Sequence, residues 1–149
     1  YYELERDCDV ERVGFLLHDD GGVRCGGSPD GLVGTEGGIE IKVPSAAVHV
    51  GYLLDDVPTK YRPQVQGNIW IAGVQWWDFV SYHPSLPSVI VRIARDEEYI
   101  KTLALNLRFF CNRLAEAKEK ILETGFEPVE NPFMPPELKA LVAAAEAKL

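Results

Sequence analysis

The sequence predicts an α/β domain with a central mixed β-sheet flanked by helices. Short apolar runs separated by glycine and proline fill residues 13–43 and 76–93, a pattern typical of strands joined by tight turns. Apolar residues recur at helical spacing in residues 63–72 and 96–124. The resulting order of strands, helix, strands and helix is typical of one mixed sheet covered by helices.

The first half of the chain is expected to fold as a β-meander followed by a helix. Asp-Gly and Gly-Gly steps between the apolar runs allow the positive φ angles that tight turns need. Pro44 ends the meander, and residues 45–57 are expected to form a loop or a short helix. The expected strands span residues 13–17, 23–26, 32–33 and 39–43, and the expected helix spans 63–72 with Pro63 in its first turn.

The second half is expected to contain two strands and a long amphipathic helix. The strands span residues 76–83 and 88–93, and prolines lie beside both. Asp96 is the expected N-cap of the helix at 96–124, and Gly125 follows its end. A short Ala-rich helix is expected close to the C-terminus.

Length and composition fit a single domain. The chain has 149 residues, of which 46% are hydrophobic, enough to bury a core but short for two ordinary domains. We therefore expect one domain over 1–149, with a helix end and turn at 1–12, a catalytic core at 13–123 and an extension at 124–149. No apolar run approaches the roughly 20 residues of a membrane helix, so no membrane association is expected.

The cysteines indicate a cellular location, and the first residue indicates a shortened chain. Cys8, Cys25 and Cys111 are far apart and odd in number, which indicates neither a disulfide framework nor a zinc site. A reducing, cytoplasmic location is therefore expected. The chain begins with Tyr1 rather than Met and has no recognisable leader, so we expect a fragment or a shortened chain.

The acidic balance argues against a nucleic-acid partner. The net charge is −8, whereas duplex binding normally depends on neutralisation of phosphates by Lys and Arg. Two considerations reduce this objection. Seven glutamates fall in the C-terminal third, and part of the remaining negative charge would be metal ligands, whose bound ion inverts the local sign.

Glu40 and Lys42 form a Glu-x-Lys pair on the last strand of the meander, and Asp30 lies in a turn before it. Because side chains alternate along a strand, Glu40 and Lys42 share one face. The apolar neighbours are expected to point into the core on the other face: Ile39, Ile41 and Val43. A Lys and a Glu on a buried strand are costly unless another group compensates both charges, and a metal-bound phosphate would do so.

These residue types suit phosphodiester hydrolysis. Two carboxylates can hold Mg²⁺ or Mn²⁺, which prefers oxygen ligands, polarises the phosphodiester and activates a water. The main-chain carbonyl of Ile41 is a candidate third ligand. Lys42 can orient or deprotonate the water and stabilise the charge that develops on the phosphate. The sequence therefore predicts a metal-dependent site for cleaving phosphodiesters.

Three motifs occur in the order found in a known nuclease family. They are Ser-Pro-Asp-Gly-Leu at 28–32, Gly-Ile-Glu-Ile-Lys-Val-Pro at 38–44 and Tyr-Arg-Pro-Gln-Val-Gln at 61–66. Together they resemble the motifs of the YqaJ-type viral recombinase family, which includes the phage lambda exonucleases and belongs to the PD-(D/E)-x-K nuclease superfamily. The resemblance covers residues 13–123 and implies a restriction-endonuclease-like core.

The resemblance implies a role for each matching residue. Asp30 and Glu40 would bind the metal, and Lys42 would be catalytic. Gln64 would reach the site from its helix and position Lys42 or the substrate. Gln66 lies about 200° away around that helix, so only one of the two can face the site, and we favour Gln64.

Further residues are candidates for the edge of the site. Lys60, Arg62 and Gln66 are candidate DNA contacts. Asp20 resembles an additional acidic position that lies near the site in the family.

The resemblance also implies a further lobe and further partners. The family has an N-terminal lobe, upstream of the position of Tyr1, that supplies a helix glutamate and basic contacts to the 5′ end of the cleaved strand. A single-strand annealing recombination protein is an expected partner, and lambda-like members imply a ring-shaped homotrimer. The expected setting is the cytoplasm of a bacterial or phage-infected cell.

Ordinary structural roles remain open for several of these residues. Asp30 alone would fit a turn aspartate, and Glu40 with Lys42 would fit a surface ion pair. The three histidines, His18, His49 and His83, show no ligand spacing and are expected at the surface or at strand ends. The tryptophans could stack on bases, but core packing is favoured for them: Trp70, Trp76 and Trp77.

Three functions are therefore carried forward. The leading one is a Mg²⁺- or Mn²⁺-dependent deoxyribonuclease, an exonuclease of phage-type recombination. The second is an endonuclease of restriction or repair type, which would also cut closed circles. The third is a non-catalytic DNA-binding or assembly module that retains the fold, which the acidic composition favours.

Overall fold

A four-stranded mixed sheet carries the residues of interest. The computed structural model describes residues 1–20, 24–55 and 58–126, together with 136, 139 and 140. Tyr1–Asn112 form one compact unit, which holds the sheet, and Arg113–Leu149 form a second. The helices are α1 (Tyr2–Arg6), α2 (Ala46–Leu54), a 3-10 turn (Thr59–Tyr61), α3 (Arg62–Ala72) and α4 (Glu97–Glu123). The strands are β1 (Leu16–Asp19), β2 (Arg24–Gly27), β3 (Gly31–Val33), β4 (Gly37–Lys42), β5 (Trp76–Ser81) and β6 (Val89–Ala94).

The strand order in the sheet is β3, β4, β5, β6. The β3–β4 and β5–β6 pairs are antiparallel, while β4 and β5 are parallel and are joined through α2 and α3. The predicted α/β class with a central mixed sheet is confirmed. Glu40 and Lys42 lie on β4, one of the two central strands of this sheet.

β1 and β2 form a separate antiparallel hairpin that lies against α3. The sequence predicted these strands at 13–17 and 23–26, earlier than the structure has them. Register is set by the pairing of Leu16 with Gly27, which apolar content alone does not reveal.

One face of the sheet is covered by α3 and the start of α4. Val65, Ile69 and Trp70 of α3 pack with Trp77 of β5 and Ile100 of α4. Gly38 is needed on β4 because a Cβ there would overlap the Trp77 ring. The core packing predicted for the tryptophans is confirmed for Trp70 and Trp77, whereas Trp76 is half-buried under the guanidinium of Arg92.

The other face carries a smaller apolar cluster of Tyr2, Ile39 and Val80. The expectation that Ile41 and Val43 also point into the core is wrong, since these residues are 39% and 70% exposed. The pairing of β3 with β4 ends at Ile39, so the last residues of β4 extend beyond the elements that cover this face.

A buried carboxylate ties α1 to the sheet. Asp78 of β5 is fully buried and accepts a hydrogen bond from the Tyr2 hydroxyl at 2.7 Å. Arg92 of β6 donates to both Asp78 oxygens, at 2.8 and 3.0 Å. Burial, with the bond to Asp78 second, raises the pKa of Tyr2. The buried charge of Asp78 is thereby compensated, as a buried carboxylate requires.

The start of α4 is capped as predicted. The Asp96 carboxylate accepts a hydrogen bond from the Tyr99 N–H at 3.0 Å and another from Arg62 of α3 at 2.7 Å. The backbone hydrogen bond from Tyr99, followed by the side-chain bond from Arg62, holds the pKa of Asp96 below its usual value. At the other end, Gly125 has a positive φ of 79°, a conformation that suits the end of a helix.

The expected position of one histidine is wrong. His49 of α2 is fully buried, with Nδ1 2.7 Å from the Ser81 hydroxyl and Nε2 2.8 Å from the Pro87 carbonyl. It joins α2 to the end of β5, which the spacing of histidines along the sequence could not show. The expected C-terminal helix lies outside the described residues, apart from 136, 139 and 140. Within the described residues, no helix is long and apolar enough to cross a membrane.

Candidate active site

Asp30 occupies the place where β3 separates from β4. The pairing of the two strands ends at Gly31 and Ile39, which leaves the next N–H groups of β4 without a partner on β3. The Asp30 carboxylate takes over this role, since its Oδ2 accepts a hydrogen bond from the Ile41 N–H at 2.6 Å. The side chain of Asp30 is thereby held against the β4 backbone between Glu40 and Lys42.

Glu40 and Lys42 share the face of β4 that α3 covers, as predicted. Glu40 is 5% exposed, and its Oε1 lies 2.5 Å from the Lys42 ammonium. Gln64 of α3 also donates to Glu40 Oε1, at 2.8 Å, and its own amide oxygen accepts from Lys42 at 3.4 Å. Gln64 therefore contacts both charged residues of the Glu-x-Lys pair.

Asn68 is a site residue that the sequence analysis missed. It lies one turn after Gln64 on α3, and its Nδ2 lies 3.5 Å from Glu40 Oε2. The two oxygens of Glu40 are thus contacted by different groups: Oε1 by Lys42 and Gln64, and Oε2 by the Asn68 amide. The spacing of four residues, which puts two side chains on one helix face, was the signal available in the sequence.

Tyr61 is a second missed residue. Lys42 Nζ lies 5.3 Å from the centre of its ring. Its hydroxyl lies 3.0 Å from that of Tyr52 on α2. The hydrogen bond with Tyr52 holds the pKa of Tyr61 below its usual value, with Lys60 and Lys42 acting in the same direction. The same bond raises the pKa of Tyr52 to about 12, and either hydroxyl can donate it.

Of the three candidate DNA contacts, Lys60 and Arg62 are exposed and Gln66 is buried. Lys60 is exposed beside the site, with its ammonium 5.0 Å from the Tyr61 ring centre. Arg62 is also exposed, but it pairs with Asp96 and lies over the Tyr99 ring at 4.5 Å. Lys60 lies in the 3-10 turn before α3, and Arg62 is the first residue of α3.

The expectation that Gln66 contacts DNA is wrong. Its side chain is buried at 2% exposure, because Nε2 donates to the Ala94 carbonyl at 2.8 Å and Oε1 accepts from the Asp96 N–H at 2.9 Å. Gln66 instead fixes the junction of β6 and α4. The choice of Gln64 as the glutamine that faces the site agrees with these contacts.

Asp20 follows β1 and accepts a hydrogen bond from Arg108 of α4 at 3.2 Å. Its predicted contribution as an accessory acid stays a prediction.

We call the place where β3 separates from β4, beside Asp30, the strand fork. The oxygen donors at this fork suit a hard cation. Asp30 and Glu40 supply carboxylates, and the carbonyl of Ile41 lies on the strand between Glu40 and Lys42. Within the described residues, no group of three or more His, Cys, Asp and Glu side chains could hold a metal ion. A cation here would therefore combine two carboxylates with a carbonyl and water, a set that fits Mg²⁺ or Mn²⁺ and does not fit zinc.

A pocket of about 280 Å³ lies beside the fork. Asp30 and Ile41 form part of its wall, and Tyr1 and Arg12 form another part. The fork is therefore reachable from outside on the side opposite α3.

The chain is similar to a known family and to solved nucleases. The model of the YqaJ-like viral recombinase domain matches residues 1–75. No curated protein sequence matches the chain. The crystal structure of an alkaline exonuclease, LHK-Exo, from Laribacter hongkongensis has a TM-score of 0.77 and 32% identity, over 83% of this chain and 66% of that one. The structure of LHK-Exo in complex with dAMP has a TM-score of 0.77 and 34% identity, with the same coverage.

These similarities confirm the predicted restriction-endonuclease-like core. The chain spans slightly less than two thirds of the length of the solved exonuclease.

Proposed function

Since the chain belongs to the YqaJ-like viral recombinase family, we propose that it is the catalytic core of a metal-dependent DNA exonuclease of the phage recombination type. The observation that carries the proposal is the strand fork, which brings Asp30 to the backbone of β4 beside Glu40 and Lys42. The similarity to a solved alkaline exonuclease supports the same reaction class.

Asp30, Glu40 and the Ile41 carbonyl would hold the ion, for which Mg²⁺ is the first candidate and Mn²⁺ the second. When bound, such an ion polarises the scissile phosphate and makes a coordinated water more acidic. Asp30 would keep its position through the hydrogen bond from the Ile41 N–H. Asp30 would supply an exposed carboxylate to the ion, and Glu40 a buried one.

Lys42 would act on the attacking water and on the phosphate. Its ammonium is held by Glu40 at 2.5 Å and Gln64 at 3.4 Å, so its position is fixed before the substrate arrives. A fixed cation stabilises the negative charge that develops on the phosphate oxygens without further rearrangement. In this scheme Gln64 is a positioning residue, because it contacts both Glu40 and Lys42.

Lys60 and Arg62 would contact the DNA backbone at the mouth of the site. Lys60 is exposed in the 3-10 turn before α3, and Arg62 is exposed at the start of α3, the helix that carries Gln64. Arg62 would bind phosphate with its position set by Asp96 and Tyr99. A homotrimer, an annealing protein as partner and action in the cytoplasm of a bacterial or phage-infected cell remain predictions from the family.

The test is digestion of linear duplex DNA and of covalently closed circles in Mg²⁺. The wild-type protein is expected to degrade the linear DNA and leave the circles intact. Lys42→Ala should lower the rate at least about 100-fold, as expected for a group that acts on the reacting atoms. Lys101→Ala, which removes an exposed lysine from α4, is the matched control and should digest like the wild type.

Two results would contradict the proposal: no digestion by the wild type under any divalent ion, or equal digestion by wild type and Lys42→Ala. Cleavage of closed circles would support the endonuclease alternative instead. DNA binding without digestion would support the non-catalytic module.

A further inference from the structure

The aromatic ring of Tyr61 lies close to two lysine ammonium groups. The Lys42 Nζ is 5.3 Å from the ring centre, and the Lys60 Nζ is 5.0 Å from it. Both distances are within the range of cation–π attraction. Of these two cations, Lys60 is exposed, while Lys42 belongs to the candidate active site.

The ring itself is fixed on its other sides. Its centre lies 5.1 Å from that of Phe79, which is fully buried on β5 and is paired with Glu40 in the sheet. Its hydroxyl is hydrogen-bonded to Tyr52 at 3.0 Å, and the Tyr52 ring packs edge-on against Phe79 at 5.8 Å. The rings of Tyr52 and Phe79 thus join Tyr61 to β5, the strand next to β4.

Lysine has a long, flexible side chain, so its ammonium needs several contacts to stay in one position. Glu40 and Gln64 supply hydrogen bonds to Lys42, and these two groups also contact each other. The Tyr61 ring contacts the ammonium independently of both, and its support from Phe79 does not involve Gln64.

We propose that Tyr61 is a positioning residue, which holds the Lys42 ammonium at the site through its ring face, while Tyr52 and Phe79 hold the ring. The inference rests on the proposed function for its catalytic consequence. It assigns the effect to the ring and not to the hydroxyl. Tyr61 acts through Lys42 and does not bind the substrate.

The kinetic test compares two substitutions on linear duplex DNA in Mg²⁺. Tyr61→Leu removes the ring, and kcat should fall roughly 2- to 30-fold, the equivalent of one cation–π contact, with KM unchanged. Tyr61→Phe keeps the ring and should stay within about 2-fold of the wild-type kcat. Trp76→Leu is the matched control. It also removes an aromatic ring, but one that lies under Arg92 at the start of β5.

Other kinetic results would overturn the proposal. Equal losses in Tyr61→Phe and Tyr61→Leu would assign the effect to the hydroxyl. A rise in KM with unchanged kcat in Tyr61→Leu would make Tyr61 a DNA contact. A similar kcat loss in Trp76→Leu would point to general destabilisation.

An NMR measurement separates this inference from the proposed function, since it requires no nuclease activity. A lysine over an aromatic ring has side-chain resonances shifted upfield by the ring current. The Lys42 methylene signals, assigned with Lys42→Arg, should be shifted in the wild type and in Tyr61→Phe. They should return toward ordinary lysine positions in Tyr61→Leu. Unchanged Lys42 signals in Tyr61→Leu would show that the ring does not hold the side chain.

Discussion

Glu40 is a carboxylate of 5% exposure on a strand that packs under a helix, and its charge is compensated locally. Lys42 and Gln64 both contact Oε1, and Asn68 contacts Oε2 at 3.5 Å. A buried charge without such partners would be strongly destabilising. The same contacts fix the orientation of the Glu40 carboxylate.

Asn68→Ala is expected to lower nuclease activity by about 10-fold, because residues that orient a metal ligand typically contribute 10- to 100-fold. The apparent affinity for the divalent ion should fall with it, which a titration of activity against Mg²⁺ would measure. Gln75→Ala is the control, since it removes an exposed amide from the turn between α3 and β5. Full activity at low Mg²⁺ in Asn68→Ala would show that the Glu40 contact is dispensable.

Single residues were predictable where the backbone pattern alone decides orientation. Alternation placed Glu40 and Lys42 on one face, and the helical period separated Gln64 from Gln66. Asn68 was missed although the helical period places it on the same face as Gln64. Tyr61 could not be found in this way, because its contact with Lys42 depends on tertiary packing. His49 was misplaced for the same reason, as its partners are far away in the sequence.

α3 is the element that completes the site. Its buried face carries Val65 and Ile69 into the core, while Gln64 and Asn68 face Glu40. The helix is held at its start by the Arg62 bond to Asp96, and in its middle by the two bonds of Gln66 to the β6–α4 junction. The capping of α4 therefore also restrains the helix that positions the site.

Asp96→Asn is expected to lower the free energy of unfolding at neutral pH, because the neutral amide loses the charged pairing with Arg62 while it can still cap α4. The folded-state pKa of Asp96 is depressed, first by the Tyr99 N–H and then by Arg62. Its contribution is therefore present above the unfolded pKa of about 3.9 and is lost as the pH falls through the lower folded value.

Thermal unfolding of wild type and Asp96→Asn at about pH 7 and about pH 3 measures this difference. The gap between the two proteins should narrow at the lower pH, and Glu98→Gln should show a smaller gap at both. A gap of the same size at both pH values would contradict the assignment of the effect to the Asp96 charge.

Most elements were predictable from periodicity, proline and glycine, including α3, β5, β6 and α4. The errors lie at strand ends. β1 starts at Leu16 because its partner strand sets the register. Ile41 of β4 is exposed because β3 begins only at Gly31, which pairs with Ile39. Such limits depend on neighbouring strands, which a local sequence pattern does not encode.

The sequence pattern pointed to the acidic residues of the C-terminal third, but most acidic residues of the chain lie before it. Of the 23 acidic residues, 16 lie in Tyr1–Asn112, against 10 of the 15 Lys and Arg, so the acidity is not confined to the C-terminal third. Several of these acids are paired, among them Asp20, Asp78 and Asp96. DNA binding would therefore rest on a few local cations and on the bound metal ion.

DNA affinity should accordingly depend weakly on salt. With Lys42, Lys60 and Arg62 as phosphate contacts, the slope of log K against log salt should be about −3. Lys60→Ala should make it shallower by about 1. Fluorescence anisotropy of labelled DNA in Ca²⁺ measures the slope, with Lys101→Ala as control. A steep slope that Lys60→Ala does not change would place the main DNA contacts elsewhere.

The metal site is the central claim, and anomalous X-ray diffraction from crystals soaked in Mn²⁺ tests it most directly. We predict one strong anomalous peak at the strand fork, within coordination distance of Asp30, Glu40 and the Ile41 carbonyl. The peak should be absent from Asp30→Asn crystals and retained in Lys42→Ala crystals. A wild-type peak bound by other residues, or no peak at saturating Mn²⁺, would contradict the account.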